Sequence, residues 1–443
     1  MNLSPMEAGL IGCVVLVVLL FSSMPVGFAM AAAGVVGLAL MKSFAVAGET
    51  LAKDVYGVLS SESLTVIPLF VLMGQVAFHA GISRRLFRAA YAWIGHLPGG
   101  LAMATVGACT AFGAICGSGP ATSATMAMVA LPEMKRYKYD MSLATGTVAS
   151  GGTLGMMIPP SVVFIVYGIL TMQSIGALFI SGIIPGLLTA LIFCLTIYGM
   201  CVRNPRLGPA GAKVSWSERL LSLGGTGETL VLFALVMGGM FAGFFTPTEG
   251  AGIGAGATIL IALLRRQITH KALLRATYET VRTSCMVLII VAGATTFGHL
   301  LADSQITTRL ADWLSHLPLP AWGIMSFIIL FYLIGGCFVD ALALLLLTVP
   351  IFYPVVQQPA FEAMGYTPIW FGVIIVLATQ MGTITPPVGV CAYVVGGIER
   401  DVPLQTVFKG CTPFLLGLAA ATILLMIWPQ LATWLPSLSH AAP

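Results

Sequence analysis

Two stretches of this 443-residue chain place a double proline among glycines and hydroxyl side chains, inside otherwise apolar sequence. The first runs from Gly151 to Ser161 and carries Gly155, Pro159 and Pro160. The second runs from Gln380 to Gly389 and carries Gly382, Thr383, Thr385, Pro386 and Pro387. Each proline lacks an amide hydrogen and clashes with the preceding turn, so a helix breaks there at a cost of ~3 kcal/mol or more. In hydrocarbon the backbone groups released by a break must find partners. Ion binding is the chemistry they suit, because freed carbonyls coordinate a cation and half-helix N-termini meet an anion. One break alone reads equally well as a kink; two at matched positions favour a site.

Two further apolar segments, 99–132 and 320–350, are interrupted midway by Gly117-Ser118-Gly119-Pro120 and by Gly335-Gly336-Cys337. The first tip contributes Ser118, Thr122, Ser123 and Thr125, and Asp340 follows the second. A charged residue deep in a helical span costs about 2.5–3.5 kcal/mol, so Asp340 and Glu249 are functional candidates. The alternative is a carboxylate satisfied by backbone amides. No Arg or Lys falls near the midplane, so an anion has to be held by helix N-termini, amides and hydroxyls. The candidate substrate-binding residues are Ser118, Thr122, Ser123, Ser161, Thr383 and Asp340.

The elements that position these residues follow from composition. Hydrophobic residues make up 58% of the chain and charged residues 8%, against about 25% charged in an ordinary soluble domain. The fold class expected is an all-α polytopic membrane protein. The first apolar run reads as a mature helix, with no basic region and no cleavage site before it. The nine cysteines form no C-x-x-C pair and read as small buried hydrophobes. No zinc-protease or phosphate-loop motif occurs, which disfavours a metalloenzyme or an ATP-driven pump.

Ten crossings are expected, at 6–22, 26–41, 64–80, 141–172, 175–202, 228–246, 248–264, 275–302, 367–398 and 411–433. One alternating set of connections (81–97, 133–141, 203–227, 265–282 and 399–410) holds seventeen Lys and Arg; the other holds three. The positive-inside rule makes the first set cytoplasmic and both termini external. Arg84, Arg85 and Arg88 precede segment 99–132, and Lys135, Arg136 and Lys138 follow it. Both its ends therefore lie on one side, as in a re-entrant hairpin. The arm from Ala121 to Pro132 supports this, being too short to cross if it ends at the proline, about 18 Å.

The two halves echo each other. Gly117 and Pro132 align with Gly335 and Pro350, and Tyr139, Gly155, Pro159 and Pro160 with Tyr366, Gly382, Pro386 and Pro387. His96-Leu97-Pro98 is echoed by His316-Leu317-Pro318. Three basic residues follow the first hairpin, and none lies in 351–366 after the second, so the copies face opposite ways. The expected division is a first inverted repeat at 1–203 (hairpin 99–132, broken helix 141–172), a cytoplasmic linker at 204–227, and a second repeat at 228–443 (hairpin 320–350, broken helix 367–398).

The segments Gly117 to Thr125, Ala130 to Met134, Gly151 to Gly155 with Ile158 to Ser161, Thr246 to Glu249, Leu347 to Phe352 and Ile384 to Gly389 occur in the order of a known family. Together they resemble the large membrane subunit of tripartite ATP-independent periplasmic (TRAP) transporters, over nearly the whole chain. The resemblance implies sodium-coupled secondary uptake of a small organic anion by an elevator mechanism, in the bacterial inner membrane. It implies a periplasmic binding protein and a small four-helix membrane subunit, the latter a separate chain because this one begins at the first large-subunit helix. It implies one sodium site at Ser118, Gly119, Gly155, Ile158 and Pro160, and another at Gly336, Asp340, Gly382, Thr385 and Pro387. Where many members carry Ser-Ser at the first tip, this chain has Ser118-Gly119-Pro120.

The bare repeat also fits a stand-alone two-hairpin symporter or exchanger without a binding protein; only the family motifs disfavour it. A passive channel gains nothing from matched helix breaks, and no paired nucleophile and base supports an intramembrane enzyme. Opposed copies carry a direct test. A cysteine at Lys138 should react with impermeant reagents only from the cytoplasm, and one at Glu362 only from outside. Reaction of both from one side refutes the inverted arrangement.

Overall fold

The computed structural model describes residues 4–22, 24–315 and 319–438, which are helical with no strand among them. The expected echo at His316, Leu317 and Pro318 lies outside the described residues.

The first half comprises α1 (Pro5–Phe21), α2 (Val26–Met41), α3 (Phe44–Leu59), α4 (Val66–His79), α5 (Ile82–Ile94), α6 (Gly100–Cys116), α7 (Gly119–Arg136), α8 (Met141–Thr153), α9 (Val162–Thr171) and α10 (Ile175–Arg203). After α11 (Trp216–Gly224), α12 (Gly227–Phe233) passes through a π-helical turn into α13 (Gly239–Phe241). Then come α14 (Pro247–Leu264), α15 (His270–Asp303), α16 (Ile306–Ser315), α17 (Ala321–Gly336), α18 (Ala341–Val356), α19 (Pro359–Glu362), α20 (Pro368–Thr383), α21 (Val390–Ile398), α22 (Leu404–Ile427) and α23 (Gln430–Leu438). Helix starts carry the residues that satisfy orphan amides: Asp140, Ser161, Ser174, Thr246, Thr269, Asp340 and Thr367 each accept from an amide of the first turn.

Among the described residues, five segments are long and apolar enough to cross a bilayer: Glu62–His79, Ile175–Arg203, Pro247–Leu264, His270–Asp303 and Leu404–Ile427. The remaining expected crossings are shorter or broken helices. The crossing expected at 411–433 is corrected: α22 begins at Leu404 and ends at Ile427, and Pro429 separates it from α23. Among the described residues several connections are themselves helical, the longer ones being α3, α5, α11 and α16. Their polar faces hide them from a reading that looks for uninterrupted apolar runs; in α5, Ile82, Leu86 and Phe87 are buried while Arg84 and Arg88 are exposed.

The hairpin arms also need correcting. α7 continues through Pro132 to Arg136, and α18 continues through Pro350 and Pro354. A proline removes one hydrogen bond but does not forbid the turns after it. The α7 arm is 18 residues, about 27 Å at the usual rise, so its length no longer argues for re-entry and the flanking charges carry that reading.

The helices pack in two groups. One is built on α15 with α2, α3 and α4, and on α14 against α4. The other interlocks the halves: α7 packs on α8 and α21, α18 on α9, α17 on α20, and α22 on α8 and α10. On the side of the basic connections, the buried Glu228 carboxylate joins Arg85 at 2.9 Å and Arg265 at 2.6 Å, tying α5, α12 and the end of α14.

Small residues set the closest seam. A Cβ on Gly146 of α8 would overlap the backbone of Gly410 in α22, and one on Gly410 would overlap Ser142 O. Gly146→Ala should therefore cost about 1–3 kcal/mol by overpacking and lower the melting temperature in detergent. Gly199→Ala, where a Cβ meets nothing within 4 Å, should be neutral or stabilising. Equal melting temperatures for the two variants would show that the seam is not close-packed.

Candidate ion and substrate site

At the first break the helix of α8 loosens into a short 3-10 turn (Leu154–Met156) and restarts at α9 after Pro159 and Pro160. Pro160 cannot donate to Met156 O, and the Ser161 hydroxyl does so instead at 2.5 Å. The Ser161 hydroxyl oxygen in turn accepts from Phe164 N at 3.4 Å, capping α9. Pro159 likewise has no amide for Gly155 O. In the second break Thr385 N bonds Gly382 O at 3.1 Å, and the Thr385 hydroxyl bonds Met381 O at 2.6 Å. The Pro159-Pro160 and Pro386-Pro387 bonds are both cis.

Each break abuts a hairpin tip through a glycine. A Cβ on Gly155 would lie 3.0 Å from Ser118 O and 2.5 Å from Thr122 Oγ1, which itself donates to Ser118 O at 2.8 Å. A Cβ on Gly382 would lie 2.5 Å from the Gly336 carbonyl carbon and 2.9 Å from Leu333 O. Val162 N donates to Gly117 O at 3.3 Å, and Val388 N to Cys337 O at 3.1 Å, so each tip is also bonded to the chain beyond its break.

The two tips meet at one cavity of about 240 Å³, lined by Ser118, Gly119, Asp340, Ala341 and, from the other group, Val71 and Thr283. The Asp340 carboxylate caps α18, accepting from Leu342 N at 3.1 Å. A second cavity of about 490 Å³ shares Val71, Ser118, Ala121 and Thr283 with the first. It follows α7 through Thr125 to Met128, toward the basic end of that helix. A larger groove of about 620 Å³ on α3 is almost wholly apolar, lined by residues such as Leu51, Val55 and Leu59, and lacks converging polar groups.

The sequence-derived residues separate into three classes of position. Ser118, Gly119 and Asp340 line the shared cavity. Thr122, Ser123, Ser161 and Thr383 are fully buried, with hydroxyls held by Ser118 O, Ala149 O, Met156 O and Gln380 O, and do not line it. Gly155, Ile158, Pro160, Gly336 and Gly382 form the packed backbone behind the tips, whereas Pro387 is exposed. Glu249 is not a buried charge: it is exposed, and its carboxylate accepts from Thr246 N at 2.8 Å in a capping box. Sequence reasoning passed over Gln75, His79, Arg275, Glu279 and Thr283, which line the longer cavity. The 265–282 charges read as a loop, although Arg275, Glu279 and Thr283 recur at the four-residue interval of one helix face. Gln380 is also new: it is buried two residues before Gly382, with neither amide atom hydrogen-bonded. No cluster of three or more His, Cys, Asp or Glu occurs among the described residues. The donors at the tips are carbonyls, hydroxyls and one carboxylate, a set that suits a hard cation rather than a transition metal.

Residues 13–431 match the family of the tripartite ATP-independent periplasmic transporter, DctM component. The chain belongs to this TRAP large-permease family. It is 35% identical to the C4-dicarboxylate TRAP transporter large permease of Pseudomonas aeruginosa, over 86% of each protein. It is 33% identical to the sialic acid TRAP transporter large permease of Vibrio cholerae, over 95% of this chain and 96% of that one. The crystal structure of the Alcanivorax borkumensis YdaH transporter shares the fold, with a TM-score of 0.62 at 15% identity, covering 88% of this chain and 90% of that one. This large permease is a multi-pass membrane protein.

The tip contacts generate a specific expectation. Gly155→Ala should push the first tip off its break and reduce uptake at least tenfold, with protein yield and monodispersity retained. Wild-type uptake by this variant would show that close approach of Ser118 and Gly155 has no part in function.

Proposed function

We propose that this permease performs sodium-coupled uptake of a small organic anion, a carboxylate or sulfonate, across the bacterial inner membrane. The observation that carries the reading is the convergence of both hairpin tips on one cavity, each backed by a broken helix. The two copies are inverted repeats at 1–203 and 228–443, joined by 204–227. Sodium binds behind the tips, at Ser118, Gly119, Gly155, Ile158 and Pro160, and at Gly336, Asp340, Gly382, Thr385 and Pro387. The Gly155 carbonyl, which accepts no backbone bond from beyond its own helical turn among the described residues, and the Asp340 carboxylate at the cavity support these positions, and the start of α7 with the Ser118 hydroxyl suits the substrate's anionic group.

The two-group packing supports an elevator, in which the interlocked group carrying tips and breaks slides against the group built on α15. Because α22 packs on α8 and α20, and α10 on α6, α20 and α22, they travel with the moving group. The cavity running along α7 toward its basic end corresponds to an inward-facing state. Substrate arrives on a periplasmic binding protein, and a small four-helix membrane subunit completes the complex.

The test is uptake into proteoliposomes holding the permease, its small subunit and the binding protein, with succinate, sialic acid and a sulfonate as probes. Uptake of one of them should follow an inward sodium gradient and be indifferent to ATP. Full concentrative uptake driven by a proton gradient without sodium would overturn the coupling.

A further inference from the structure

Away from the tips, the longer cavity ends at a charged trio shared by α4 and α15. His79 Nε2 stands 3.0 Å from Glu279 Oε2, and Arg275 Nε donates to Glu279 Oε1 at 3.1 Å. Glu279 is thus held on both oxygens. The bond from Arg275 uses Nε alone, leaving its terminal nitrogens without a partner among the described residues. The side chain is 74% exposed, against 13% for His79, so the guanidinium is the solvated member of the trio. Across the cavity, α7 presents Ala121, Ala124, Thr125 and Met128, none of them acidic, and Glu279 is the only carboxylate in its lining. Gln75, one turn before His79, and Thr283, one turn after Glu279, lie in the same lining, and Thr283 also borders the tip cavity.

A guanidinium binds a carboxylate or sulfonate through paired N–H donors. An exposed Arg–Glu pair on one helix is weak, so another anion displaces it readily. Here the displaced Glu279 remains bonded to His79 and is not left unpaired. We infer that Arg275, poised by Glu279 and His79, is a transient docking station that takes the substrate's anionic group as it leaves the hairpin tips for the cytoplasm, with Thr283 and Gln75 as polar contacts between. The inference rests on the proposed reading that this cavity is the substrate's exit path.

The test needs no knowledge of the natural substrate, because a small sulfonate-bearing thiol reagent is itself a probe of the proposed class. Thr283→Cys is introduced in the whole transporter, in membrane vesicles with the cytoplasmic face exposed, on a Cys285→Ala background that removes the exposed native thiol. The rate of modification is measured with a sulfonate-bearing and with a trimethylammonium-bearing methanethiosulfonate. Arg275→Gln should lower the sulfonate-to-ammonium rate ratio roughly fivefold, the effect of removing one nearby charge in a partly solvated cleft. Glu279→Gln should raise the ratio, and it decides the matter alone if Arg275→Gln does not fold. A reactive thiol whose ratio neither variant changes overturns the docking station and leaves the exit path standing. A thiol unreactive from the cytoplasmic face overturns the exit path and the station with it.

Discussion

In hydrocarbon every backbone amide and carbonyl has to be paired within the protein, and this constraint organises the molecule around its helix breaks. An unbroken helix meets it by itself. The double prolines at 159–160 and 386–387 cannot, and the structure answers each shortfall locally. The Ser161 hydroxyl bonds the carbonyl that Pro160 leaves, Thr385 bonds two carbonyls of the second break, and each tip is bonded to the chain beyond its break. Irregular backbone is tolerated at this depth only where it is enclosed by protein or lines a cavity, and both conditions hold here.

Enclosure in turn demands close approach. The breaks reach the tips because Gly155 and Gly382 present no side chain to Ser118 and Gly336, and α8 reaches α22 because Gly146 and Gly410 do the same. In lipid such contacts replace the hydrophobic effect as the source of helix association, since apolar side chains gain little by leaving apolar surroundings. The interlocked group that results joins elements from both halves of the chain, with α7 against α21 and α18 against α9.

Charge is confined to the margins of this packing. The acidic residues that looked costly within apolar runs, Asp340 and Glu249, both serve as helix caps, where backbone amides and the helix dipole stabilise a carboxylate. Asp340 alone of the two also faces the shared cavity. The cations lie toward the basic ends of the helices, among them Arg275 in the longer cavity.

The sequence by itself determined the membrane class, the family, the two breaks and the two tips, because apolar run length, proline chemistry and ordered motifs are properties of local chain. It also marked Ser118, Gly119 and Asp340, which the fold brings to one cavity. It could not place the helices α3, α5, α11 and α16, whose amphipathic faces interrupt apolar runs, nor see that α7 and α18 continue past their prolines. Only the tertiary structure decided which hydroxyls face open space. Thr122, Ser123, Ser161 and Thr383 share the chemistry of Ser118, but neighbouring carbonyls already occupy them. The trio of His79, Arg275 and Glu279 likewise exists only in three dimensions, because the helices that bring it together lie some two hundred residues apart along the chain, and no local pattern encodes that meeting.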